Sequence, residues 1–198
     1  MAETEEEGKE GKEEKEDNKE PTAPPEQEEK QQKHLILDVD NTLLDGFQAR
    51  PFLTEFLHFC FTDARIGSVS IWTASQGWWE IALQQVIGPC LPVHAGFLFV
   101  WQRNRCLEQF DYETQEKYAI KPLKKVWKKF KPQLTKENTI IIDDCSLTFA
   151  RNYGNSIHIK PFHASEDKES KDNELLQMMK RLDTDHLNRV DVRRRVNK

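Results

Sequence analysis

Residues 34–45, HLILDVDNTLLD, constrain the fold more than any other stretch. Leu35, Ile36 and Leu37 run without a break into Asp38, Val39, Asp40, Asn41 and Thr42. A short, wholly apolar run bounded by polar residues reads as a strand buried on both faces, as in a parallel sheet. Ligands of such sheets bind beyond the carboxyl ends of the strands. Asp38 and Asp40 are therefore expected where strand gives way to loop. Alternation along an extended chain points both carboxylates to one side, with Val39 opposite. A lone D-x-D is ordinary turn chemistry. A buried strand, D-x-D-x-T and further apolar residues together point to a site.

The pattern recurs along the chain. Ile66–Trp72 reads as a second strand, with Val69 and Ile71 on one side and Ser68, Ser70 and Trp72 on the other; it ends at Thr73. A third, 138–142 (NTIII), ends in the adjacent pair Asp143-Asp144, and NSIHIK follows as another. Between the first two, Arg50-Pro51 opens FLTEFLHFCF, where Phe52, Leu53, Phe56, Leu57 and Cys60 recur at helical spacing. After Thr73, Ser75 is the expected N-cap of a helix whose apolar face is Trp79, Ala82, Leu83, Val86 and Ile87. A further strand is expected at His94–Trp101, then a polar, irregular stretch. In LKKVWKKFKPQL, Leu123, Val126, Trp127 and Phe130 fall on one helical face and the lysines on a solvated one. A terminal amphipathic helix is expected over 173–182, packing Leu175, Leu176, Met179 and Leu182.

Charge sets the domain limits. Residues 1–33 hold 13 acidic and 6 basic side chains, no aromatic residue and almost no large apolar one. Such a segment cannot bury enough surface to offset ordering entropy, so a disordered acidic tail is expected. The chain as a whole has a net charge of −5, which leaves the body slightly basic. A basic C-terminal tail is expected over 184–198, and a single domain over 34–183. No run of 18 apolar residues occurs, so no membrane span is expected. Nucleic acid is not the expected partner. Cys60, Cys90, Cys106 and Cys145 include no C-x-x-C pair, so neither a zinc site nor a redox pair is indicated.

LDVDNTLLD, Thr73, Lys121 and Asp143-Asp144, in that order, resemble the four motifs of the haloacid dehalogenase (HAD) superfamily. Within it they are most similar to phosphatases of the RNA polymerase II C-terminal-domain type, the NLI-interacting-factor-like family. The stretches IKPLKKVWKKF, NTIIIDD and SIHIKPFHASEDKESKDNELL are similar to the branch carrying an additional ubiquitin-like domain; residues 1–33 are too short and polar to be that domain.

The resemblance implies an α/β fold, a Rossmannoid three-layer sandwich with a central, mostly parallel sheet. It also implies a small β insertion at about 90–118, and a nuclear or cytoplasmic protein. It implies an Mg2+-dependent Ser/Thr phosphoprotein phosphatase working through an aspartyl-phosphate. Asp38 would be the nucleophile and Asp40 the general acid and base, while Thr73 and Lys121 contact the phosphoryl group. Mg2+ would be held by Asp38, Asp144 and the main-chain carbonyl of Asp40. Asp143 would reach the ion through water or hold Lys121. Thr42, Arg103 and Arg105 are the expected substrate-side residues, with Thr42 fixing the loop. The implied partner is a phosphorylated protein, such as the polymerase C-terminal domain or a proteasome subunit. Two alternatives stay open: a non-catalytic phosphopeptide-binding module of the same fold, and a small-metabolite phosphatase.

Overall fold

The structure is a computed structural model that describes Met1 and residues 31–113, 115–152, 154–165 and 172–193. The expected acidic tail lies, but for its ends, outside the described residues. In chain order the elements begin with β1 (Lys33–Leu37), the short hairpin strands β2 (Leu44–Asp45) and β3 (Gln48–Ala49), α1 (Leu53–Thr62) and β4 (Ile66–Trp72). There follow α2 (Trp79–Ala82), β5 (Val100–Trp101), β6 (Leu107–Asp111), β7 (Glu116–Ile120) and α3 (Lys124–Lys129). β8 (Thr139–Asp143), β9 (Ser156–His158) and α4 (Glu174–Asp185) complete the order.

Five strands form one sheet in the order β5-β4-β1-β8-β9, every pairing parallel. Alternation along the strands divides the core. Leu35, Leu37, Val69, Ile71, Ile140 and Ile142 pack on one face with α1 and α4. Ile36, Trp72 and Ile141 pack on the other with Leu123 and Val126 of the α3 region. The result is the three-layer α/β sandwich of a HAD-like domain. β1 lies at the centre, and the chain builds first to one side of it through β4 and β5, then to the other through β8 and β9. That reversal opens a crevice at the carboxyl end of β1, where parallel sheets bind ligands.

β6 and β7 pair antiparallel as a separate hairpin over 107–120, the small insertion. Only Val100 and Trp101 of the expected 94–101 strand join the sheet. α1 buries Leu53, Phe56, Leu57 and Cys60, whereas Phe52 precedes it in the left-handed region (φ 66°). α3 is shorter than its apolar spacing suggests, because Lys131 precedes Pro132 and the residue before proline is kept out of helical geometry. α4 buries Leu175, Met178 and Leu182, and leaves Leu176 exposed.

The expected tail at 184–198 begins too early. α4 runs to Asp185, Leu187 and Val192 are buried in the core, and the Val192 amide donates to the Glu137 carbonyl. Two isolated apolar residues among charges carry no periodic signal. No helix among the described residues is long and apolar enough to cross a membrane. All four cysteines are free.

Candidate active site

Asp38 follows the last residue of β1 and is buried; its amide donates to the Ile142 carbonyl of β8 at 3.0 Å. This ties the tip of β1 to the strand that carries Asp143 and Asp144. The chain then turns back: the amides of Thr42, Leu43 and Leu44 converge on the Val39 carbonyl. Asn41 takes the left-handed conformation (φ 54°) that asparagine tolerates. The Asp45-Gly46 turn needs glycine at a φ of 57°.

Lys121, at the end of β7 and 1 % exposed, lies between two carboxylates. Its Nζ donates to Asp38 Oδ1 and, at 2.7 Å, to Asp143 Oδ2. Its backbone is held on both sides. The Lys121 amide donates to the Thr148 carbonyl at 2.6 Å, and Asn152 Nδ2 donates to the Lys121 carbonyl at 3.0 Å. Asn152 Oδ1 also accepts from the Leu123 amide at 3.0 Å. Asp143 Oδ1 accepts from the Cys145 amide at 2.9 Å. Thr42 is fully buried and spans the two strand tips. Its hydroxyl lies 3.2 Å from Asp38 Oδ2 and 3.3 Å from Asp144 Oδ1, and accepts from the Asp144 amide at 3.2 Å.

One carboxylate oxygen from each of Asp38, Asp143 and Asp144 lies within 4.8 Å of the others. At that separation a pair of full charges repels by about 3–4 kcal/mol at an effective dielectric near 20. Among the described residues, one ammonium, that of Lys121, pairs with this group. The titration directions follow from burial and from the neighbouring charges. Burial pushes the Asp38 carboxyl up to about 8 against the pull of Lys121, with Asp143 and Asp40 adding to the rise. Burial raises Asp144 too, and Asp143 adds. Burial works against the charge of Lys121, yet Asp38 and Asp143 more than restore it and hold the ammonium above its ordinary range. Lys121 is therefore charged, and the site retains negative charge beyond what it neutralises. Lys121 takes Asp38 Oδ1 and Asp143 Oδ2, while Asp38 Oδ2 and Asp144 Oδ1 both border Thr42. An all-oxygen donor set with surplus charge fits a hard divalent cation such as Mg2+.

The carboxylate of Asp40 stands apart from that cluster. Its Oδ2 accepts from Thr73 Oγ1 at 2.9 Å, and Thr73 Oγ1 in turn accepts from the Ser75 amide at 2.9 Å. Thr73 is fully buried. Expected as a phosphoryl contact, Thr73 here donates its hydroxyl proton to Asp40 and so holds that side chain. Thr42 likewise is a loop brace and presents no open surface to a substrate. Ser75 caps no helix; the next one starts at Trp79 with no side-chain cap.

Asp38, Asp40, Lys121, Asp143 and Asp144 line an open cavity of about 350 Å3, together with Tyr118 of the hairpin. Arg103 borders it, donating to the Ala74 carbonyl at 3.4 Å with Glu108 3.6 Å away. Arg105 does not line it. Its guanidinium lies over the Trp101 ring, 5.7 Å from the centroid. Spacing alone did not say which of the two would border the cavity.

The structure adds Arg50, which the sequence reading passed over. It is 1 % exposed and holds the site loop from behind. It donates to both Asp172 carboxylate oxygens at 3.0–3.2 Å, to the Thr42 carbonyl at 3.0 Å and to the Lys160 carbonyl at 2.8 Å. Its Pro51 neighbour was read only as a helix start; the ion pair spans 122 positions and leaves no local signal.

Strand-tip carboxylates around a buried lysine, on a central parallel sheet with a small hairpin insertion, define a HAD-like domain. Residues 26–193 match the family described as NLI interacting factor-like phosphatase, and the chain belongs to that family. It is similar to "Ubiquitin-like domain-containing CTD phosphatase 1" of Gallus gallus and of Homo sapiens. Each is 30% identical over 155 residues, covering 74% of this chain and 48% of the relative. The protein of that name from Danio rerio is 28% identical over 152 residues, covering 73% of this chain and 46% of the relative. The chain thus spans about half the length of the curated relatives it matches.

Proposed function

We propose that this protein is an Mg2+-dependent Ser/Thr phosphoprotein phosphatase that works through an aspartyl-phosphate. The observation that carries the reading is the buried Asp38–Lys121–Asp143 contact, with Asp144 beside it, at the floor of an open cavity. In the first step an Asp38 oxygen attacks phosphorus, and the bond to the leaving seryl or threonyl oxygen breaks. Asp40 supplies the proton that the leaving oxygen takes up. In the second step Asp40 takes a proton from water, whose oxygen attacks phosphorus and releases Asp38 and inorganic phosphate. The Thr73 hydroxyl holds the Asp40 side chain in place for both transfers. Lys121 offsets negative charge as Asp38 bonds to phosphorus. Asp38 and Asp144 would hold Mg2+, which would supply further positive charge beside the phosphoryl group.

The insertion is a single hairpin, which leaves the cavity accessible to a polypeptide. The named relatives are C-terminal-domain phosphatases, and a phosphorylated protein segment is the proposed substrate here, in the nucleus or cytoplasm. The test is turnover of p-nitrophenyl phosphate, phosphoserine peptides and sugar phosphates, with Mg2+ and with chelator. Peptide turnover that requires Mg2+ and falls at least 1,000-fold in Asp38→Asn is expected. Retained turnover in Asp38→Asn removes the nucleophile assignment. A preference for sugar phosphates makes the protein a metabolite phosphatase, and binding without turnover makes it a module.

A further inference from the structure

Between Glu116 and Glu137 the chain contains no acidic residue, yet residues 121–136 contain seven lysines. Lys121 is consumed by the site; the other six lie on or beside α3. Lys124, Lys128, Lys129, Lys131 and Lys136 are exposed and Lys125 is half-buried. Among the described residues only Lys136 has an ion partner, Glu137 at 3.9 Å, and Glu137 is also engaged by Arg193 at 3.3 Å. A solvated helix face ordinarily interleaves both signs of charge. This one carries one sign over its whole length, and like charges four positions apart, such as Lys124 and Lys128, repel.

The face is also hollowed, and it continues towards the active site. Lys125, Lys128 and Lys129 share a depression of about 400 Å3 with Arg105 and Trp101. Lys124 and Lys128 border another of about 550 Å3 that extends to Lys131 and Lys136. At the near end, the Lys125 ammonium donates to the Arg105 carbonyl at 2.8 Å, fixing α3 against the turn that carries Arg103 into the catalytic cavity. Arg105, expected on the substrate side, thus becomes the link between the two.

We infer that this lysine track is a docking surface for an acidic polypeptide segment flanking the phosphorylated residue of the substrate. The inference rests on the phosphatase reading and narrows its substrate class: phosphosites within Glu- and Asp-rich sequence. The occupant is chosen by charge and by shape. A shallow track of flexible lysines attracts carboxylates without requiring a defined fold. Single-stranded nucleic acid would need exposed aromatic faces for stacking. Here Trp101 is buried and Trp127 half-buried.

The test compares two phosphoserine peptides that differ only in flanks of five glutamates or five glutamines. It uses the full chain and the variant Lys124→Gln/Lys128→Gln/Lys131→Gln, which leaves every catalytic group in place. KM for the Glu-flanked peptide is expected about fivefold below that for the Gln-flanked one, with kcat unchanged. The difference should vanish in the variant and in 0.5 M salt, where the screening length is only about 4 Å. Turnover of p-nitrophenyl phosphate should be the same in both proteins. Equal KM values for the two peptides, or a preference that survives the triple substitution, overturn the inference. Fluorescence anisotropy of the labelled peptides separates this from failure of the catalytic reading. Lysine-dependent binding of the Glu-flanked peptide without turnover keeps the docking surface and removes the enzyme. Tighter, equally lysine-dependent binding of labelled oligouridine overturns the acidic-peptide assignment.

Discussion

Replacing Arg50 by methionine should destabilise the domain by about 4 kcal/mol. The guanidinium has no solvent exposure at its side chain, and its partner Asp172 has 5%. Removing one member of such a pair leaves a buried carboxylate without compensation, a loss of about 3–5 kcal/mol. The Thr42 and Lys160 carbonyls also lose their donor. Water can reach Asp172 at its exposed edge, which keeps the total near the middle of that range. Against a stability of about 5–15 kcal/mol this is a large fraction. Urea unfolding followed by tryptophan fluorescence is a direct assay, because Trp72 is buried in the core. With a slope of about 2 kcal/mol per molar, the midpoint should fall by about 2 M. The double variant Arg50→Met/Asp172→Leu should recover most of the loss, because neither charge then remains buried. A loss below about 1 kcal/mol, or a double variant whose change is the sum of the single ones, would refute the reasoning.

Three further outcomes are expected. Asn152→Ala should lower stability by about 1–3 kcal/mol, since the Lys121 carbonyl and Leu123 amide lose their partner in a buried setting, and should also reduce phosphatase turnover; unchanged urea midpoints would remove its bracing role. Mg2+ at a hundredfold over its Kd should stabilise the wild type by about 2.7 kcal/mol in thermal unfolding, an increment that chelator removes and Asp144→Asn largely abolishes. His34 is held down to about 4 by burial, with the Lys33 charge adding and the Gln133 carbonyl opposing, and His186 to about 4 by burial with Arg189 and Arg181. Both bind protons in the unfolded chain first, so their contribution is fully present above pH 6.5 and is lost as pH falls from 6.5 towards 4. Allowing for solvent screening, the loss at pH 5 is about 1 kcal/mol each. It is read as the difference between wild type and His34→Gln/His186→Gln, because the raised Asp38 and Asp144 act in the opposite sense.

β1 and β8 were legible because each carries an unbroken apolar run stopped by a charged residue. β4 was legible by alternation, with Val69 and Ile71 on one side, and by the hydroxyl of Thr73 after its end. Asp38, Asp143 and Asp144 came together because adjacent parallel strands deliver their ends to one edge, and Lys121 reaches them from the end of the separate β6–β7 hairpin. What the sequence did not reveal depends on single polar atoms meeting over long separations. Arg50 and Asp172 are an example, as is Asn152, whose bond to the Lys121 carbonyl crosses 31 positions. Thr73 was found, but not its bond to Asp40, since a strand-end hydroxyl carries no mark of which carboxylate it borders. Leu187 and Val192 escaped notice because two apolar residues amid charge have no pattern to recognise.

The two neighbouring acids that close β8 are not duplicates. Asp143 faces the lysine, and Asp144 faces Thr42. Sliding β8 along β1 by one position would put Asp144 where Asp143 lies and Cys145 where Asp144 lies, while leaving composition and hydropathy intact. Single-residue insertions or deletions just upstream of Thr139 should therefore be far more damaging than changes of equal size at the tip of the β6–β7 hairpin. In laboratory evolution of this scaffold, length variation belongs in that hairpin.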